Sequence, residues 1–252
     1  ATKEAKFNVM SSYSIDSNTV LVGFEDGLFK LEIKEDQTFG YTRLNYVNPI
    51  ILSKYNRLYG IESLDADNYL LATKGAVFLY NIITGVSKRF EHNINRPEES
   101  LSPGTCRVIY KDRKSRIWFA TSSGGINILV KNDQGNYTIQ PHPINDNIRK
   151  VTKDYATALC DDDKGNLYLG TYGSGMLYVD FNSGEIKKID KKGGLPNNII
   201  YGILNDGRRI WISTNKGIAS YNPLNADVKS YLEVNGLVSN EFNSNAFFNS
   251  SN

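Results

Sequence analysis

The residues that could carry out catalysis are few and scattered. His92 and His142 stand in separate loop-like stretches, without a neighbouring cysteine or the His-Glu-x-x-His spacing that holds zinc. Both read as solvated loop side chains rather than as general bases or metal ligands. Carboxylates gather at Asp65-Ala66-Asp67, Asp112, Asp161-Asp162-Asp163 and Asp206. Two carboxylates facing each other across a sugar would suit glycoside hydrolysis, but nothing in the sequence selects such a pair. Each cluster instead recurs at the same place, just ahead of an apolar run. That is what a turn built on side-chain-to-backbone hydrogen bonds produces. Gly124-Gly125 and Gly173-Ser174-Gly175 lack the Lys-Ser/Thr and the helix of a phosphate-cradling loop, and read as hairpin turns. The expectation is a segment with no catalytic residue, no metal site and no cofactor.

The elements that position these residues repeat along the chain. Val20–Phe24, Tyr69–Thr73, Ile117–Thr121, Leu167–Thr171 and Ile210–Thr214 are apolar runs, each followed by a glycine and further apolar residues. Phe24, Thr73, Thr121, Thr171 and Thr214 serve as anchors, separated by 49, 48, 50 and 43 residues. A period in that range belongs to blade-type β-propeller repeats, each an antiparallel sheet of about four strands. The expected repeats are 6–46, 57–90, 105–140, 155–190 and 199–233, with a partial sixth over 235–252. The fold class is therefore all-β, a propeller segment spanning 1–252. Because the sixth repeat stops before its anchor, a fragment of a larger propeller is expected. His92–Thr105 and Pro143–Asp154 read as long polar loops.

Within each repeat, the residue before the anchor is small: Gly23, Ala72, Ala120, Gly170 and Ser213. Three positions before the anchor it is bulky: Leu21, Leu70, Trp118, Tyr168 and Trp211. A blade covered on both faces needs both sizes, small where sheets crowd and large where they stand about 10 Å apart. Trp118, Trp211, Tyr168, Ala120, Gly170 and Ser213 are accordingly structural. Hydrophobic residues make up 40% of the chain and aromatic residues 12%, enough for such a core. A net charge of +2 gives no reason to expect nucleic acid. No apolar run approaches the roughly 18 residues that cross a bilayer. Cys106 and Cys160 lie at different offsets from their anchors, so each reads as a buried free thiol.

Gly194-Leu-Pro-Asn-Asn198, Asp206, Arg209-Ile-Trp-Ile-Ser-Thr-Asn-Lys-Gly-Ile218 and Tyr221-Asn222 resemble the two-component-regulator propeller repeat. Leu101-Ser-Pro-Gly-Thr105 with Asp112 and Trp118 follows the same pattern, as does Asp161–Thr171; the first two units depart from it, with Phe24 for Thr and no Trp. Asn235–Asn243 is similar to the end of the last propeller in such proteins. The resemblance implies a periplasmic sensor region of a Bacteroidetes hybrid two-component histidine kinase, non-catalytic in itself. It also implies recognition of a glycan-derived oligosaccharide, homodimerisation, and further ectodomain, membrane and kinase portions in the same chain. A propeller lyase or hydrolase and a pure assembly module remain alternatives.

Loops presented by a rigid scaffold are where ligands bind. The second-to-third and fourth-to-first connections share one propeller face. They carry Tyr172, Asn215, Lys216, Lys74, Arg96, Arg149, Lys191 and Asn197, a mixture of aromatic, amide and cationic groups suited to a sugar, including an acidic one. The packing pattern is testable directly. Ala120→Leu should overpack a blade interface and lower stability by about 1–3 kcal/mol in urea denaturation, and an unchanged midpoint would contradict it.

Overall fold

The computed structural model describes residues 8–47, 54–55, 57–123 and 125–243. Five four-stranded antiparallel sheets follow one another, their strands in sequence order. The first comprises β1 (Val9–Ser14), β2 (Thr19–Phe24), β3 (Gly27–Ile33) and β4 (Phe39–Leu44). The second comprises β5 (Leu58–Ser63), β6 (Asn68–Thr73), β7 (Ala76–Asn81) and β8 (Ser87–Glu91). The third comprises β9 (Cys106–Lys111), β10 (Ile117–Thr121), β11 (Gly125–Lys131) and β12 (Tyr137–Pro141). The fourth comprises β13 (Ala156–Asp161), β14 (Leu167–Thr171), β15 (Met176–Val179) and β16 (Ile186–Ile189). The fifth comprises β17 (Ile200–Asn205), β18 (Ile210–Thr214), β19 (Gly217–Tyr221) and β20 (Val228–Tyr231). Residues 6 and 7 of the expected first strand, Gly124, and 244–252 of the partial sixth repeat lie outside the described residues.

The first strands of all five sheets line one axial cavity of about 510 Å³, reached by Tyr13, Ile61, Tyr110, Leu159 and Ile203. Successive sheets stack face to face around it. Leu21 packs with Leu58 and Leu71, and Leu70 with Cys106 and Phe119. Trp118 packs with Leu167 and Leu169, and Tyr168 with Ile210 and Ile212. Trp118 is fully buried, whereas Trp211, at the equivalent position, is half-buried and leans on Tyr231 with ring centroids 5.8 Å apart. Trp211 fills no inter-sheet gap here, because no sheet follows the fifth among the described residues. Ser213 shares that face and is half-buried too.

The small residues have a steric cause. A Cβ on Gly23 would lie 2.6 Å from the Leu58 Cβ, and one on Gly170 would lie 2.6 Å from the Ile200 Cγ2. In both cases the first residue of the next innermost strand stands in the way, joined at Gly23 by the Ser11 hydroxyl of its own blade at 2.5 Å. Ala72 and Ala120 are likewise fully buried. The anchor threonines close the adjoining hairpin, with hydroxyls donating to carbonyls: Thr73 to Ala76 at 2.8 Å, Thr171 to Gly175 at 2.7 Å and Thr214 to Gly217 at 3.0 Å. Gly175 and Gly217, at φ 85° and 87°, run so close to the outermost strand that a Cβ would meet the Ile189 or Tyr231 carbonyl oxygen at 2.3 or 2.4 Å.

The acidic turns are structural, as their recurrence implies. Asp112 Oδ1 accepts from the backbone N–H groups of Lys114 and Arg116, while Oδ2 accepts from Trp118 Nε1 at 2.8 Å and Arg116 Nε at 2.6 Å. Asp206 repeats the arrangement with Arg208, Arg209 and Trp211, and Asp162 with Lys164, Asn166 and the Tyr178 hydroxyl. In the third and fifth sheets one carboxylate thus fastens both the turn and the large side chain of the following strand, whereas in the fourth the ring it holds, Tyr178, lies one strand further on, in β15.

One connection differs from expectation. Within Pro143–Asp154 the chain forms a helix, α1 (Asn145–Val151). Ile144 and Ile148 are buried in the core, with Val151 packed beside them, a helical spacing short enough to pass for loop. The Asn145 side chain ties the helix to Ile126, accepting from its N–H at 2.9 Å and donating to its carbonyl at 2.8 Å. Both cysteines are buried free thiols.

Asp206 has its carboxyl held below the ordinary 3.8 by the Arg209 N–H first, then by the Trp211 indole and the Arg208 N–H. A depressed carboxyl pKa stabilises the fold above the unfolded value, and that stabilisation is lost as pH falls through the folded value. The urea midpoint of Asp206→Asn should therefore trail that of the unmodified chain at pH 6. The gap should shrink progressively below pH 3.8. A gap independent of pH would contradict this role.

Candidate functional site

Each innermost strand is irregular at the same place. Val9 pairs with Phe24 and Ser11 with Gly23, leaving Met10 as an extra residue. In the same way Tyr59 stands between Leu58 and Gly60, Arg107 between Cys106 and Val108, Thr157 between Ala156 and Ala158, and Tyr201 between Ile200 and Gly202. Such bulges bend a strand and re-aim the extra side chain. Met10, Tyr59, Arg107 and Thr157 converge with Val9, Tyr155 and Tyr172 on a cavity of about 360 Å³ at the loop-bearing end of the axis.

Aromatic rings build the walls. Tyr155 and Tyr172 stack with centroids 5.2 Å apart and planes 13° from parallel, leaving Tyr172 47% exposed. The Arg107 guanidinium lies 5.5 Å from the Tyr59 ring centroid and 5.1 Å from that of Tyr155. Ring quadrupoles on both sides hold the cation in place. No carboxylate pairs with Arg107 among the described residues, and its buried Nε has no hydrogen-bond partner there. An unsatisfied buried N–H costs about 1–3 kcal/mol. Asp154, at the rim, is engaged by the Ser174 hydroxyl at 2.5 Å. Thr157 is turned toward the next blade, its hydroxyl donating to the Ile200 carbonyl at 2.6 Å.

Of the residues expected at a binding face, Tyr172 lines this cavity. Asn215 stands beside it through Tyr201, whose hydroxyl donates to Asn215 Oδ1 at 2.9 Å. The others lie elsewhere on the loops. Arg96 pairs with Glu99 at 3.6 Å, Arg149 pairs with Asp146 on α1, and Lys74 is exposed in a hairpin. Lys191 donates its backbone N–H to Asn198 Oδ1 and Asn197 Oδ1 accepts from the Ile199 N–H, both within the connection from the fourth blade to the fifth. Lys216 donates its backbone N–H to Thr214 Oγ1.

Met10, Tyr59, Arg107, Thr157 and Tyr201 are hidden from strand alternation, because a bulge puts them out of phase. The repeat nonetheless marks them: they lie fourteen residues ahead of the anchor in the first four blades and thirteen ahead in the fifth.

The histidines are not solvated loop groups. His92 Nδ1 is 3.1 Å from the Leu101 carbonyl oxygen. His142 is half-buried, its ring 5.4 Å from Trp118 and 4.9 Å from Phe181. Burial, and secondarily the nearby Arg116 charge, lower its pKa, and its Nδ1 accepts from the Ile144 N–H at 3.2 Å.

Radially stacked four-stranded sheets around a shared axis, each opening its hairpins on one mouth, make this a β-propeller. Residues 194–216 match the family described as two component regulator propeller, so the fifth blade carries that repeat. Histidine kinase P4 of Formosa agariphila is 27% identical over 155 residues, covering 61% of this chain and 11% of the kinase. Two solved extracellular domains of putative hybrid two component systems from B. thetaiotaomicron share the fold. BT3049 superposes with a TM-score of 0.71 at 21% identity, covering 89% of this chain and 30% of that one. BT4673 superposes at 0.68 and 16% identity, covering 91% and 31%. Virginiamycin B lyase of Staphylococcus aureus has the fold as well, at 0.60 and 12% identity, covering 89% and 69%. The chain thus spans about a ninth of the related kinase and under a third of the two ectodomains.

Arg107 has no carboxylate partner among the described residues, and the cost of its unsatisfied buried N–H offsets its two ring contacts, so it should add little net stability. Arg107→Met should leave the urea midpoint unchanged or raise it. A loss exceeding about 1 kcal/mol would show that the guanidinium holds the blades together instead.

Proposed function

We propose that this chain is a non-catalytic, extracytoplasmic sensor region of a hybrid two-component histidine kinase, located in the periplasm. It recognises a glycan-derived oligosaccharide and passes the signal across the membrane. It works as a homodimer, with further ectodomain, membrane and kinase portions of the same protein. The kinase relative and the fold shared with extracellular domains of putative hybrid two component systems support the setting.

The observation that carries the ligand class is the Tyr155–Tyr172 stack at the axial mouth, with Tyr172 47% exposed. A flat ring held rigid from behind offers its outer face to the C–H face of a sugar, and the Tyr201–Asn215 pair beside it supplies polar groups for hydroxyls. The non-catalytic reading is supported by the occupation of the candidate groups. His92 and His142 have backbone partners, and the turn carboxylates are bound to N–H and indole donors.

Isothermal titration against a panel of oligosaccharides should yield a binder whose affinity falls at least tenfold, about 1.4 kcal/mol, in Tyr172→Ala. In urea denaturation that variant should lose no more than the ring stack is worth, about 0.5–1.5 kcal/mol. Turnover of any panel member by the isolated chain, or absence of saccharide binding altogether, would overturn the reading.

A further inference from the structure

The bulge residue of the third blade has a chemistry that its counterparts lack. Met10, Tyr59, Thr157 and Tyr201 are uncharged, and Arg107 places one full positive charge among them. Several arginines in this chain have carboxylate partners, Arg113 with Asp163, Arg116 with Asp112 at 2.6 Å and Arg209 with Asp227 at 3.9 Å, while Arg43, stacked on Phe29, donates to the Asp26 carbonyl. Arg107 is flanked instead by the faces of Tyr59 and Tyr155, its Nε buried and without a hydrogen-bond partner among the described residues. Rings on both sides fix the plane of the guanidinium without using its N–H groups, which leaves the donors aligned and unspent. A planar fork of donors in a half-enclosed site matches an oxyanion two oxygens at a time.

We infer that Arg107 selects an anionic sugar, its guanidinium taking a carboxylate or sulfate group of the ligand while Tyr172 stacks on the adjoining ring. This rests on the glycan-sensor reading above and adds the ligand's charge and the residue that reads it. Carboxylate and sulfate present the same oxyanion geometry, so the experiment carries an arm for each.

The probes are tetragalacturonate, a sulfated galactan tetrasaccharide and neutral galactotetraose, titrated calorimetrically into the full 252-residue chain. At least one anionic probe should bind ten times or more tightly than the neutral one, and its affinity should fall as salt is raised. Arg107→Met should abolish that preference while changing the neutral affinity less than about twofold, and Arg107→Lys should keep part of it. Equal binding of charged and neutral probes, or a preference that survives in Arg107→Met, would overturn the assignment of Arg107 and leave the sensor reading standing. Failure of all three probes alongside a wider neutral panel would remove both. A preference shown by the uronate alone or by the sulfate alone supports the inference and names the group.

Discussion

The stacking of blades depends on the first residue of an innermost strand entering the hollow that a small side chain leaves in the preceding blade. Leu58 presses toward Gly23 and Ile200 toward Gly170, at distances that a single added carbon would violate. Sheets pleated on both faces cannot otherwise come this near, since ordinary facing side chains keep them about 10 Å apart. That wedge sets the angle between blades and, repeated, curves them around an axis. It is a van der Waals constraint, gained atom by atom and lost whole when one partner grows.

The wedge and the axial mouth are parts of one device. The residue that enters the hollow pairs with the anchor of its own blade, as Leu58 does with Thr73 and Ile200 with Thr214. The next residue is the bulge, and pairing resumes after it. A strand drawn outward to fill the neighbour's hollow has one residue too many for its own ladder, and in the first four blades that residue lines the axial mouth. At the opposite end of the same strands, the Asp112–Trp118 and Asp206–Trp211 bonds tie each turn to its bulky filler. Packing is thus secured on one side of the blade and side chains are released on the other.

Much of the architecture was legible because it is periodic. The anchors, the small residue before them and the bulky one three positions ahead follow from a sheet covered on both faces, and the strands fall where those positions require. Turn carboxylates could be read as structural because they recurred in register with the anchors. The helix at Asn145–Val151 was not legible, since seven residues give barely two turns of periodicity between polar neighbours. The site was legible in part. Tyr172 lies on a hairpin loop, where ligand contacts are expected, but Arg107 and Tyr59 sit within strands, and a bulge has no signature in apolar alternation. Exposed Lys74 and the paired Arg96 and Arg149 show why cationic loop residues are weak markers: most of them hold a turn or face solvent. Trp211 shows a related limit, because equal positions in a repeat have equal surroundings only where both neighbours are present.

The out-of-ladder residue in each blade has a consequence for how this architecture diversifies. A position outside the hydrogen-bonded ladder of its own blade is held to no fixed side chain by that ladder, and Met, Tyr, Arg, Thr and Tyr occupy the five. Each of the first four blades thus sets one side chain, of a different chemical kind from its neighbours', at the same mouth.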